Sequence, residues 1–65
     1  MTATEMRFLR MRDVTESVAL SRPTIYRMMD RGEFPRPVKV GPNSLWVKQE
    51  VDDWMKAQMA ARTHD

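Results

Sequence analysis

The sequence predicts a mostly helical α+β fold, a winged helix-turn-helix: helix, tight turn, second helix, β-hairpin and C-terminal helix. Three observations predict it. Two short apolar stripes at helical spacing, Met11/Val14/Val18 and Ile25/Met28/Met29, are separated by only a few residues around Leu20. The second stripe is bracketed by a start signal, Ser21 with Pro23, and a stop signal, Gly32 with Pro35. Two short β-rich runs then flank Gly41-Pro42-Asn43-Ser44, a turn by composition. Short helices joined by a tight turn make a helix-turn-helix, and a hairpin directly after it makes a wing.

Arg7 to Leu9 reads as an extended lead-in, with Phe8 and Leu9 as core anchors. In the first helix Met11, Val14 and Val18 face inward and Arg12, Asp13 and Glu16 outward. Ser17 to Leu20 is expected to make the turn, with Leu20 in the core. The second helix is expected from about Arg22 to Arg31. The Ser21 hydroxyl can accept from an otherwise orphaned N–H of its first turn, where Pro23 loses nothing by lacking its own. Gly32 suits the C′ position beyond its end.

Val38-Lys39-Val40 and Leu45-Trp46-Val47 are expected to pair with Val40 facing Leu45 and Val38 facing Val47. Those apolar residues then share one face and Lys39 and Trp46 the other, although the twist of short strands leaves the core open to Trp46 as well. The last helix is expected from near Gln49, a poor N-cap. Glu50, Asp52 and Asp53 in its first turn suit the helix dipole, and Val51, Trp54, Met55 and Met59 form its buried stripe.

With 65 residues the expectation is a single domain over residues 1–65, with 1–5 and 62–65 frayed. A domain this small buries only about 60% of the surface its unfolded chain exposes, so its core must be economical. Hydrophobic residues make up 42% of the chain, enough for a globular fold. Cysteine is absent, and the single histidine, His64, is next to last. Neither a disulfide nor a metal site is expected, and no cofactor. No apolar run approaches the roughly 20 residues of a membrane span, and no secretory h-region is visible. The expectation is a cytoplasmic protein with no membrane or small-molecule partner.

The net charge of +2 is unevenly spread: residues 22–48 carry +4 and residues 49–65 carry −2. A basic middle suits an anionic polymer, against the plainer alternative of a solvated surface. Projected at 100° per residue, the second helix turns Pro23, Thr24, Tyr26, Arg27 and Arg31 away from its apolar side, with Arg22 at the margin. Arg22, Thr24, Tyr26 and Arg27 are the expected base and near-base contacts. Arginine can bind guanine O6 and N7 with two bonds, and threonine can reach a base edge or a thymine methyl. The start of this helix is the end that enters a major groove in helix-turn-helix proteins, and its free N–H groups favour anions. Asp30 is expected to pair with Arg27 and fix its rotamer. Arg31, Arg36, Lys39, Asn43 and Ser44 are the expected backbone and wing contacts, with Arg12 and Ser21 as candidate phosphate contacts. The methionines sit at core spacing, so core filling is favoured over a Met-rich docking face, and both tryptophans are expected in the core.

These residues resemble the AlpA family of phage and mobile-element regulators, and more distantly MerR-type and excisionase winged helices. The resemblance runs through "FLRMRDV" at 8–14, "LSRPTIYRMMDRGEFPRPVKVG" at 20–41 and "EVDDW" at 50–54. It implies a small DNA-binding domain with Ser21 to Arg31 as recognition helix and residues 38–47 as wing, acting as a regulator of prophage genes or as an excisionase. Two positions depart from the family pattern. Asn43 stands where the wing turn often carries a basic residue, and Gln49 where a Ser cap usually precedes "EV".

The expected partner is double-stranded DNA. Further copies of the chain side by side on DNA, an integrase or an RNA polymerase are candidate additional partners, since one small domain covers only a short site. The competing reading from another class is a protein-interaction module, antitoxin-like or anti-regulator, holding an acidic protein on the basic helix face. An enzyme is disfavoured, because the chain offers no cysteine, no internal histidine and no Gly-rich phosphate loop.

Overall fold

A computed structural model describes residues 6–62. In chain order the elements are β1 (Phe8–Leu9), α1 (Met11–Val18), α2 (Arg22–Asp30), β2 (Val38–Val40), β3 (Asn43–Val47) and α3 (Lys48–Ala61). The expected fraying of residues 1–5 and 63–65, and His64, lie outside the described residues, whereas Arg62 is the C-cap of α3.

The Asp13 carboxylate starts α1 by accepting the Arg10 backbone N–H at 3.1 Å, reaching back one turn to a donor the helix cannot satisfy. The helix continues through Ser17 and Val18, further than the sequence suggests, and the turn shrinks to Ala19–Ser21. Ala19 closes it at φ 58°, donating its N–H to Thr15 O at 2.9 Å. That left-handed geometry costs a residue with a Cβ roughly 1–2 kcal/mol, and it lets α2 follow immediately.

Both ends of α2 are as the sequence writes them. Ser21 Oγ accepts the Thr24 N–H at 3.4 Å, and Pro23 lies in the first turn. At the other end the Gly32 N–H reaches Met29 O at 3.0 Å and the Glu33 N–H reaches Met28 O at 2.8 Å, the paired bonds of a Schellman motif. Gly32 has φ 72°, as that motif requires, and Arg31 is the C-cap rather than the last helical residue.

The hairpin corrects the expected register. Val38 pairs with Leu45, Lys39 with Ser44 and Val40 with Asn43, because the turn contains only Gly41 and Pro42. Gly41 has φ 60° and the Pro42 ring holds φ negative, the sign pattern of a type II′ turn. Asn43 and Ser44 are therefore strand residues. The lead-in is itself a strand: β1 pairs antiparallel with β3, Phe8 to Val47 and Leu9 to Trp46, giving a three-stranded sheet in the order β1-β3-β2.

Strand alternation assigns the faces. Leu9 and Trp46 enter the core, with Ser44 and Lys39 further along the same face. Phe8, Val47, Leu45, Val38 and Val40 share the opposite face, and Phe8 is 53% exposed, so only Leu9 of the two expected anchors is one. The core is Leu9, Val14, Ile25, Met29, Phe34, Trp46 and Val51, ringed by Met11, Val18, Leu20, Met28, Trp54 and Met55.

The last helix starts at Lys48, directly from β3, so Val47 rather than Gln49 holds the cap position. The Lys48 N–H donates to Arg7 O at 2.8 Å, tying the helix start to the strand below it. Lys48 Nζ and Asp52 Oδ2 pair at 2.8 Å, and Gln49 Nε2 donates to Asp53 Oδ1 at 2.9 Å. Met59, expected in the buried stripe, is 56% exposed. It lies two turns past Val51, where α3 has run beyond the core.

Candidate nucleic-acid interface

Burial of Ile25 and Met29 decides which side of α2 meets solvent. Arg22, Tyr26, Arg27 and Arg31 are exposed and Thr24 is half-buried. Thr24, Arg27 and Arg31 are three and four residues apart and form one line along the helix. Their polar groups are linked at its N-terminal end. Ser21 Oγ and Thr24 Oγ1 lie 2.9 Å apart, and Arg27 Nη2 donates to Thr24 Oγ1 at 3.3 Å. The Thr24 hydroxyl therefore orients Arg27, in place of the expected ion pair to Asp30, which the structure does not form. Among the described residues Arg22, Arg27, Arg31 and Lys39 make no ion pair, so these charges are available to an outside anion.

The hairpin carries the expected wing contacts. Lys39 and Ser44 lie opposite one another on the sheet face that also carries Trp46, the face turned toward the helices. Asn43 is exposed beside the turn but on the other face, so the structure does not group it with Lys39 and Ser44. Arg36 is exposed and donates through Nη2 to Met29 O at 3.4 Å, an added cap on the last turn of α2. Arg12 faces solvent on α1 with Glu16 Oε2 at 3.8 Å from its Nε, a surface pair of little energetic weight.

Sequence reasoning missed the parts that hold helix and wing together. Trp46 Nε1 donates to Pro35 O at 3.0 Å and Trp54 Nε1 donates to Glu33 O at 2.8 Å. Phe34, between those carbonyls, is buried and meets the Trp54 ring edge-on with centroids 4.8 Å apart. The linker from α2 to β2 is thus fixed at three successive residues. The available signal was that an indole in a core needs an acceptor for its N–H, and carbonyls beside prolines have few backbone donors to satisfy them.

No group of three or more His, Cys, Asp or Glu residues that could hold a metal occurs among the described residues. No described helix is long and apolar enough to cross a membrane.

A tight helix-turn-helix, a cationic outer face on its second helix and a hairpin directly behind that helix define a winged helix-turn-helix protein. The chain belongs to the AlpA family: the family model described as prophage CP4-57 regulatory protein (AlpA) matches residues 7–59. It is also similar to ORF88 of Enterobacteria phage P4, an uncharacterized protein, at 43% identity over 60 residues, covering 91% of this chain and 68% of that one. The family is one of prophage regulatory proteins, as the resemblance in the sequence implies, and the matched range takes in every element from β1 to most of α3.

Proposed function

We propose that the chain binds a specific site in duplex DNA, with the N-terminal half of α2 in the major groove and the wing on the adjoining backbone. The observation that carries this is the line Ser21–Thr24–Arg27–Arg31: a cationic helix face whose arginines form no ion pair among the described residues, set on a helix capped at both ends. In this reading Arg22, Thr24, Tyr26 and Arg27 meet bases or the sugar edge. Arg31, Lys39 and Ser44 meet phosphates, Asn43 touches the backbone from the wing tip, and Ser21 and Arg12 are peripheral phosphate contacts. Arg36 acts chiefly through the α2 C-terminus it caps and reaches DNA only if that bond opens. Family membership supports a regulatory outcome: control of prophage or mobile-element genes, or assistance to excision at an attachment site. It suits a protein that works on DNA in the cytoplasm and has no chemical step of its own.

Selection from a random duplex library tests the reading. It predicts enrichment of one short motif, bound with an affinity that falls linearly on a log–log salt plot at a slope near −0.9 per phosphate neutralised. No duplex affinity at low ionic strength would remove the proposal and leave the protein-interaction module. Mapping bound sites in the host then separates the two outcomes, promoters for transcriptional control and attachment sites for excision.

A further inference from the structure

A threonine on a DNA-facing helix has two ways to meet a base: its hydroxyl at a base edge, or its methyl at a thymine methyl. The hydrogen bonds at the start of α2 choose between them for Thr24. Its Oγ1 lies 2.9 Å from Ser21 Oγ, which also accepts the Thr24 backbone N–H at 3.4 Å, and it accepts from Arg27 Nη2 at 3.3 Å. A hydroxyl has one donor and two acceptor positions, so most of its capacity is spent inside the chain. The only other atom beyond the Thr24 Cβ is the Cγ2 methyl, and the residue is half-buried in line with exposed Arg27 and Arg31. Arginine has donors to spare: the bond to Thr24 uses one, and what remains of the fork still fits guanine O6 and N7.

We infer, resting on the reading that this face enters a major groove, that Thr24 offers its methyl to the 5-methyl group of a pyrimidine beside the guanine that Arg27 meets. The ligand class is therefore a guanine flanked by a 5-methylpyrimidine, which is either thymine or 5-methylcytosine. The spacing calls for neighbouring bases. Arg27 Nη2 is held 3.3 Å from the Thr24 hydroxyl, and stacked bases rise by roughly 3.4 Å per step along one strand. Two side chains tied that closely fall within one base step of each other. The hydroxyl and the methyl of one residue thus have separate tasks. The hydroxyl positions Arg27 and so acts on the guanine preference, whereas the methyl sets the pyrimidine preference. Burying one methyl group against another is worth about fourfold in affinity.

Base analogues test this on the wild-type protein, so the result does not depend on any variant folding. On the site selected from a random duplex library, deoxyuridine replaces each thymine in turn, which deletes the methyl and keeps every hydrogen-bonding group. Binding should weaken about fourfold at one position, directly beside the guanine whose identity ceases to matter to Arg27→Ala. Comparing 5-methylcytosine with cytosine at that position separates the two sources: a similar gain admits methylated cytosine, and equal binding confines the contact to thymine. Thr24→Ser keeps the hydroxyl and deletes the methyl, so it should lose the thymine–deoxyuridine difference and keep the guanine preference. Thr24→Val should do the reverse, with thermal melts to check that both variants are folded. A selected site with no pyrimidine beside that guanine overturns the inference. So does equal binding with and without the 5-methyl group on the selected pyrimidine, or a difference that survives Thr24→Ser. These results leave duplex binding standing, whereas no duplex binding at all removes the reading underneath and the inference with it.

Discussion

The Thr24 hydroxyl stands between the cap of α2 and its proposed DNA-reading face, touching Ser21 Oγ on one side and Arg27 Nη2 on the other. Two residues here separate stability from recognition. Ser21→Ala removes the cap acceptor and is expected to cost about 1 kcal/mol in denaturant unfolding. Thr24→Val keeps the cap and the side-chain shape but frees Arg27, so its effect should fall mainly on duplex discrimination, with a small change in stability. Ala19 offers a test of opposite sign. At φ 58° it carries left-handed strain that glycine does not, so Ala19→Gly should raise unfolding stability by up to about 1 kcal/mol. A clear loss would mean that the turn between the helices is not held in this geometry.

Among the elements, α2 was legible in the sequence because its termination signals are local: a hydroxyl, a proline and a glycine each act within one turn of their own position. The hairpin was only partly legible. Its strands were placed by β-branched residues, but register depends on turn length, and composition counts Asn43 and Ser44 as turn residues when they pair with Val40 and Lys39. The inward face went to the single large Trp46 and not to the more numerous valines, since one buried indole fills more core volume than two half-covered side chains. The third strand was invisible as such, because a two-residue β1 has no periodicity to read. The arginines of the candidate site were legible, being set by helical spacing. Their supports were not, because Trp54 and Glu33 lie 21 residues apart. Those supports are testable. Trp54→Phe deletes a donor to an exposed carbonyl that water can replace, and should cost about 1 kcal/mol or less. Trp46→Phe leaves Pro35 O without its donor and a cavity in the core, and should cost about 2–4 kcal/mol. Amide exchange in residues 32–37 should quicken in both. Equal, negligible effects would show that the indole bonds do not hold the linker.

At the scale of the whole molecule, one small core has to fix the angle between a helix and a hairpin. The shared residues do this: Trp46 belongs to β3, itself a strand of the wing, packs in the same cluster as Ile25 and Met29 of α2, and bonds the linker between them. Lys39 is carried on the helix-facing side of that sheet, so its proposed contact is with the sugar-phosphate backbone and carries no sequence information. Lys39→Ala should weaken binding to all duplexes alike and lower the salt slope by about one phosphate. The measurement that bears most directly on the central claim compares Arg27→Ala with wild type on the selected site and on unrelated duplex. The account predicts a loss of about 1–3 kcal/mol on the selected site, relaxed discrimination at one base position, and a much smaller loss on unrelated sequence. Undiminished discrimination by the Arg27→Ala protein would contradict it, because the outer face of α2 would then not be what reads the DNA.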